Sequence, residues 1–360
     1  MDNTRLRWGI LGTAQVARKN WKAILDTGNA VVMAVASRDV ERSRRFIREC
    51  QSEAPFENAP VAFGGYAELL ASQDLDAVYV PLPTGLRKEW VVRAAEAGKH
   101  VLCEKPVAVS IRQVDRMAEA CRQAGVKFML GFCMRNHVYH KKARELVLSG
   151  ALGQMVMGRA QLTCWYPPVP GAWRQNLAVS HGGALIDMGS HCLDILEWIM
   201  DTRIVEVTGF QDLRTHAYAT RIEDTSTILA RFGNGAHGII DNYFNIPDAA
   251  AQNRLELYGT KGTLIGEGTI GQDPTGKMFS ILQAEETAYD ANQVRNAEAQ
   301  RQEYQLEGIG LYGQMIDCFS RCILDNTEPP VTLADGRHSV AVILAIYEAI
   351  RKRKVVGVRD

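Results

Sequence analysis

Asp187 and His191 stand four residues apart in the stretch Gly182-Gly183-Ala184-Leu185-Ile186-Asp187-Met188-Gly189-Ser190-His191. On a helix that spacing puts both side chains on one face, one turn apart. A carboxylate beside an imidazole raises its basicity and orients the ring. His191 is therefore a candidate to take a proton from an alcohol as hydride leaves the carbon. The competing reading is a pair that only caps a helix N-terminus, with Asp194 an ordinary helix residue. Lys105 is the third candidate. It follows Val101-Leu102-Cys103-Glu104, read as a short buried strand and its end, and it precedes Pro106. Buried strands of an open parallel sheet deliver functional groups at their carboxyl ends, which would set Lys105 at a cofactor crevice. Pro106 ends the strand ladder and fixes the direction of exit. The sequence leaves the isomer of the Lys105-Pro106 bond open, and a surface Glu-Lys pair after an edge strand is the alternative.

Upstream of Asp187 lie Trp165-Tyr166-Pro167-Pro168 and Ala172-Trp173-Arg174-Gln175-Asn176. Aromatic faces with a few hydrogen-bonding groups suit a sugar-like polyol, so Tyr166, Trp173 and Arg174 join Lys105, Asp187 and His191 as candidate substrate contacts. A loop pinned by buried aromatics is the other reading.

The elements that must position these groups begin at Arg7-Trp8-Gly9-Ile10-Leu11, a short apolar run ending at Gly12. Gly12-Thr13-Ala14-Gln15-Val16-Ala17 fits a relaxed dinucleotide fingerprint. Gly12 makes the tight turn, Ala14 stands where a second glycine lets the backbone approach a pyrophosphate, and Ala17 stands at the close helix–strand contact. The amides that open the following helix can hold phosphate, with Gly12, Thr13 and Ala14 around it. The next strand, through Val35 and Ala36, ends in Ser37-Arg38, where an NAD site usually carries an acidic residue. A guanidinium there can clamp a 2′-phosphate, so NADP(H) is expected in preference to NAD(H), which remains possible. The loop Pro81-Leu82-Pro83-Thr84-Gly85 after the strand 76–80 adds Pro81 and Thr84 to the candidate cofactor contacts, as Glu104 and Lys105 do after theirs.

Strand–helix alternation continues to about residue 130 and argues a doubly wound parallel sheet. Ser110-Ile111-Arg112-Gln113 forms a capping box for the helix that ends at Gly125. The texture then changes. Longer strands are expected over 154–165, 203–213, 225–232, 236–244 and 254–258, with Ile228, Ala230 and Phe232 alternating against Thr227, Leu229 and Arg231. Gly233-Asn234-Gly235 and Gly259-Thr260-Lys261-Gly262 read as turns, and the helices 311–324 and 337–351 close the chain. The fold class is thus α/β. A dinucleotide-binding domain is expected over 1–132, and a domain with a large, mostly antiparallel open sheet over 133–360.

Lysine plus arginine equals aspartate plus glutamate, 41 against 41, so no net charge draws the chain to nucleic acid or a membrane surface. The polar N-terminus carries no secretory signal, and no apolar run is long enough to span a bilayer. Eight scattered cysteines form no disulfide framework, and Cys318 with Cys322 reads as helix core rather than a metal site. Reduced thiols and a cytoplasmic location are expected.

Taken together, Gly9-Ile10-Leu11-Gly12-Thr13-Ala14, Ala97-Gly98-Lys99-His100-Val101-Leu102-Cys103-Glu104-Lys105-Pro106, Gly182-Gly183 with Asp187 and His191, and Leu255-Glu256-Leu257-Tyr258-Gly259-Thr260-Lys261-Gly262-Thr263-Leu264 resemble the glucose–fructose oxidoreductase/inositol dehydrogenase/rhizopine catabolism (Gfo/Idh/MocA) family across essentially the whole chain. The resemblance implies a Rossmann domain, then an α/β domain whose open sheet often forms an oligomer interface, hence a homodimer or homotetramer. It implies that Lys105, Asp187 and His191 match the family's catalytic lysine, aspartate and histidine. The implied activity is NAD(P)-dependent interconversion of a secondary alcohol and a ketone on a sugar, sugar derivative or cyclic polyol. The alternatives are a glycosidase-type enzyme that uses the cofactor transiently, and a non-catalytic dinucleotide-sensing regulator. The chain departs from the family pattern at Arg87, where a histidine is frequent, and at His181, where a third glycine is common.

Overall fold

The apolar runs of the first part of the chain pair side by side, all parallel. β1 (Leu6–Leu11), β2 (Ala30–Ala36), β3 (Val61–Phe63), β4 (Ala77–Val80), β5 (His100–Cys103) and β6 (Phe128–Leu130) form a six-stranded sheet in the order β3-β2-β1-β4-β5-β6. This computed structural model describes residues 5–282, 291 and 301–360; the polar start at residues 1–4 lies outside them. β4 is buried at every position, as a strand covered on both faces must be. The connections are α1 (Gln15–Thr27), α2 (Val40–Glu53), α3 (Tyr66–Leu70), α4 (Thr84–Glu96) and α5 (Ile111–Ala124). Strand order reverses beside β1, and ligands of open α/β sheets bind at the carboxyl ends of the strands at such a switch point. Gly12 after β1 and the Pro81–Thr84 loop after β4 flank it. The box expected at Ser110 forms with one change. Ser110 Oγ accepts from the Gln113 amide at 3.4 Å, while Gln113 Oε1 accepts from Val109 N rather than from Ser110 N. β3 was not expected; it is a three-residue edge strand with Val61 exposed, too short for a period to register.

The second sheet is larger. α6 (Val138–Leu148), β7 (Met155–Thr163), α7 (Leu177–Ser180), α8 (Ser190–Met200), β8 (Ile204–Asp212), β9 (Thr225–Phe232), β10 (His237–Tyr243), β11 (Leu255–Gly259), β12 (Gly262–Glu267), β13 (Lys277–Leu282) and β14 (Arg301–Tyr304) follow in turn. α9 (Leu311–Leu324), α10 (Leu333–Lys352) and β15 (Val356–Gly357) complete the chain. The order is β14-β13-β12-β11-β7-β10-β9-β8-β15, antiparallel except that β7 and β10 run parallel. In β9, Ile228, Ala230 and Phe232 are buried while Leu229 and Arg231 are exposed, as their alternation requires. α8 packs on β7 and α10 on β8. The other face is bare where Phe210 is 81% exposed and Leu229 53%. The last helices also return to the first sheet: α9 packs on α1, and Phe319 meets Trp8 edge-on at 5.9 Å. Among the described residues, no helix is long and apolar enough to cross a membrane.

Candidate active site

The turn after β1 is built from backbone. Gly12 has φ +114°, a conformation L side chains rarely adopt, and its N–H donates to Ala36 O at 2.8 Å. Ala14 is the N-cap of α1, extended, and no side chain caps the helix. The first amides of α1 are therefore left without a side-chain acceptor, the arrangement that receives a phosphate. These residues fit a dinucleotide pyrophosphate. Ser37 is buried and folds back onto Asp39, donating to its carbonyl at 2.6 Å. The Asp39 carboxylate caps α2 through the Glu41 amide at 2.9 Å. Arg38 is exposed. Sequence reasoning missed its neighbour Arg42, whose Nε donates to Thr13 Oγ1 at 2.8 Å. Both guanidiniums lie near Tyr66: burial pushes the Tyr66 hydroxyl up, and Arg38 and Arg42 pull it part of the way back. Guanidiniums placed this way can bond phosphate oxygens. The only hint of Arg42 in the sequence was its place one helical turn after Arg38.

At the next two strand ends the groups diverge. Pro81 leaves β4, and Thr84 is buried at the start of α4. Thr84 lines a crevice with Pro106, Trp173, Arg174, Gly182 and Asp187. Glu104, expected as a cofactor contact, is buried below it: Oε1 accepts from Tyr79 Oη at 2.7 Å, and Tyr79 accepts from Asn20 Nδ2 at 2.8 Å. Arg87 is buried too, donating to Leu82 O at 2.7 Å and to Pro106 O. It ties the loop after β4 to the turn after Lys105, whose peptide to Pro106 is cis.

Lys105 reaches across to the second part of the chain. Its Nζ donates to the Asp187 backbone carbonyl at 2.6 Å and lies 3.4 Å from Asp187 Oδ1. Arg174 Nε meets the same Oδ1 at 3.2 Å, and its guanidinium stacks over the Trp173 ring at 4.6 Å. Burial alone would push the Asp187 carboxyl up, but Arg174 and Lys105 outweigh it and hold the group well below the usual carboxylate range. Tyr166 is half-buried, edge-on to Phe244 at 5.1 Å; burial raises its hydroxyl and Arg174 opposes the rise. His181, left-handed at φ +62°, closes α7 and lies against Gly85 at the start of α4: a Cβ built on Gly85 would sit 3.4 Å from His181 Nε2.

The helix expected to align Asp187 with His191 begins irregularly. Leu185–Gly189 is a π-helical turn, and α8 starts only at Ser190. Asp187 therefore sits on the π turn, and His191 on the α-helix that follows it. Among the described residues the Asp187 carboxylate bonds Arg174 and Lys105, not His191. His191 is buried, its Nδ1 has no partner, and its ring meets Phe132 edge-on at 6.3 Å. Burial pushes the imidazole far below its ordinary range, and Lys105 adds to that against a smaller opposing pull from Asp187. Both influences favour the uncharged imidazole. Asp194, one turn further, is a structural partner of buried Arg135 at 2.5 Å.

Residues 6–132 match the sequence profile described as "Oxidoreductase family, NAD-binding Rossmann fold", and residues 140–265 match "GFO/IDH/MocA C-terminal domain". The chain is 35% identical to a dTDP-3,4-didehydro-2,6-dideoxy-alpha-D-glucose 3-reductase of Saccharopolyspora spinosa, covering 98% of each. It is 29% identical to a 1,5-anhydro-D-fructose reductase of Ensifer adhaerens, over 95% of this chain and 96% of that one. The solved structure of an aldose-aldose oxidoreductase from Caulobacter crescentus, complexed with glycerol, superimposes with a TM-score of 0.84 at 25% identity, over 98% of this chain and 99% of that one.

Proposed function

Because the chain belongs to the Gfo/Idh/MocA oxidoreductase family, we propose that it interconverts a secondary alcohol and a ketone on a sugar, sugar derivative or cyclic polyol, with NADP(H) preferred over NAD(H). The observation that carries this reading is the meeting of Lys105, at the carboxyl end of β5, with Asp187 and Arg174 from the other part of the chain, beside an unpartnered His191. Relatives named as sugar reductases support the substrate class. The dinucleotide supplies or accepts the hydride when bound. Gly12, Thr13 and Ala14 receive its pyrophosphate, Arg38 and Arg42 its 2′-phosphate, and Pro81 and Thr84 flank its nicotinamide half. Glu104 acts from beneath, through Tyr79, rather than by contact.

The roles of the chain's own groups follow from their charge states. His191 takes the alcohol proton at Nε2, the nitrogen turned away from the buried Nδ1, and returns it in reduction. A neutral imidazole can accept that proton; a protonated one cannot. The Lys105 ammonium polarises the reacting oxygen. Asp187 anchors Lys105 and Arg174 rather than orienting His191. Trp173, Arg174 and Tyr166 close over the sugar. The cofactor domain occupies 1–132 and the substrate domain 133–360, with the reactive carbon in the cleft between them. The bare face carrying Phe210 and Leu229 supports a homodimer or homotetramer through the second sheet, which light scattering at micromolar concentration would test. Eight unpaired cysteines support a cytoplasmic setting. Purified protein assayed against sugars, inositols and ketosugars with both cofactors tests the reading. Turnover of a sugar alcohol or ketone with NADP(H) is expected, and turnover of none of them with either cofactor would contradict it.

A further inference from the structure

Two glycines open the turn that carries Asp187, and each is pressed against a residue from elsewhere in the fold. A Cβ on Gly183 would lie 1.9 Å from the Glu223 carbonyl oxygen, and one on Gly182 would lie 2.0 Å from Tyr347 Oη. Glu223 lies two residues before β9 and is 7% exposed. Its Oε1 accepts from Gly183 N at 2.8 Å, Leu185 N at 3.2 Å and Tyr347 Oη at 3.0 Å. Its backbone carbonyl accepts from Ala184 N at 3.0 Å. Three consecutive amides at the start of this turn therefore end on one residue. Tyr347 comes from α10, which packs on β8 and α8. Burial raises the Glu223 carboxyl, while the amides and the Tyr347 hydroxyl draw it back. A carboxylate at a helix start is favoured by the dipole and by the unpaired amides there.

We propose that Glu223, braced by Tyr347, is a positioning residue for the hydride-transfer site: it fixes the backbone of Gly183–Leu185, and with it the places of Asp187 against Lys105 and of His191 on the helix that follows. The Gly182-Gly183 pair exists to let Glu223 and Tyr347 approach. The inference rests on the oxidoreductase reading above, and it deepens that reading by placing a catalytic determinant outside the crevice. Small displacements of a site matter: about 1 Å can lower a rate by about 10²-fold.

The test compares Glu223→Ala, Glu223→Gln and Tyr347→Phe with the parent enzyme. Glu223→Ala removes the shared acceptor and should lower kcat by about 10²-fold with the NADP(H) dissociation constant unchanged. Glu223→Gln keeps a carbonyl oxygen for the same three donors and should restore most of that loss. A fall in stability alone would not be rescued this way while leaving cofactor affinity untouched. The second readout needs no substrate. The ¹⁵N-imidazole resonances of His191, assigned by their loss in His191→Gln, should move in Glu223→Ala and stay near their parent positions in Glu223→Gln. Parent-like kcat and parent-like His191 resonances in Glu223→Ala would overturn the proposal. If the parent turns over no sugar, the functional reading fails, and the resonances still decide the positioning role. Should Glu223→Ala not fold, Tyr347→Phe decides by the same resonances: displacement supports the proposal, and none overturns it.

Discussion

Two helix starts in this molecule carry glycines for opposite reasons. At Gly12–Ala14 the glycine is required by its own backbone, at φ +114°, and the helix that follows has no side-chain cap. At Gly182–Gly183 the backbone is unremarkable, but a side chain on either glycine would collide with Tyr347 or Glu223, and the amides are already taken. The first turn is left open, so an anion from outside can complete it. The second is completed from inside, so the groups it carries are held before any substrate arrives. The same residue type thus opens an uncapped helix start in one half and an internally completed one in the other. Neither role is readable from the glycine itself.

Breaking the second turn where it meets the chemistry should have the largest effect. His191→Ala is expected to lower kcat by ~10²–10⁴-fold while NADP(H) still binds, since a positioned general base contributes about that much. Steady-state kinetics with cofactor titration on the same protein would show it, and near-normal kcat would make Tyr166 the next candidate base. Breaking the neighbouring strand end, after β2, should cost binding instead. Arg38→Ala is expected to weaken NADP(H) by about 1.5–3 kcal/mol and NAD(H) far less, as loss of a charge-assisted phosphate contact does. Equal losses for the two cofactors would remove Arg38 from the phosphate site.

Gly183→Ala sharpens the contrast from the other side. Its Cβ would meet a backbone oxygen that cannot swing away, so destabilisation of about 1–3 kcal/mol is expected, read as a lower melting temperature. Parent-like melting would show that the turn yields easily. The smallest effect concerns pH. Because burial and Lys105 push the His191 imidazole well below its ordinary range, alcohol oxidation should not lose a base as pH falls through about 6.5, the ordinary imidazole value. A pH–rate profile that falls with an apparent pKa near that value would mean that His191 is readily protonated and that its partnerless burial is not kept in the working enzyme.

The two turns were unequally legible. Gly12, the switch from Ala36 to Ser37-Arg38, and Lys105 after a short apolar strand are local patterns, and the parallel sheet followed from them. β9 was legible to the residue because one face is buried and the other exposed. The strands β12 to β15 were not expected, because they are short or follow segments without a clear period. The Asp187–His191 spacing is legible in the sequence, but the bonding is not: Asp187 sits on a π turn that no residue in the stretch announces, and its carboxylate bonds Arg174 and Lys105. Arg174 rather than His191 holds Asp187, and that contact comes from a loop whose path the sequence leaves open. The Glu104 side chain accepts from Tyr79, a direction that the strand end alone does not give. Glu223 and Tyr347 carried no local signal, because only the folded chain brings them to Gly182 and Gly183.

The most direct measurement follows the hydrogen itself. Reduced NADP carrying deuterium at both nicotinamide C4 positions would be supplied with a ketosugar that the enzyme accepts, and the product analysed by NMR and mass spectrometry. The account predicts one deuterium on the new carbinol carbon, in step with cofactor oxidised. Product carrying no deuterium, or formed without net cofactor oxidation, would contradict it.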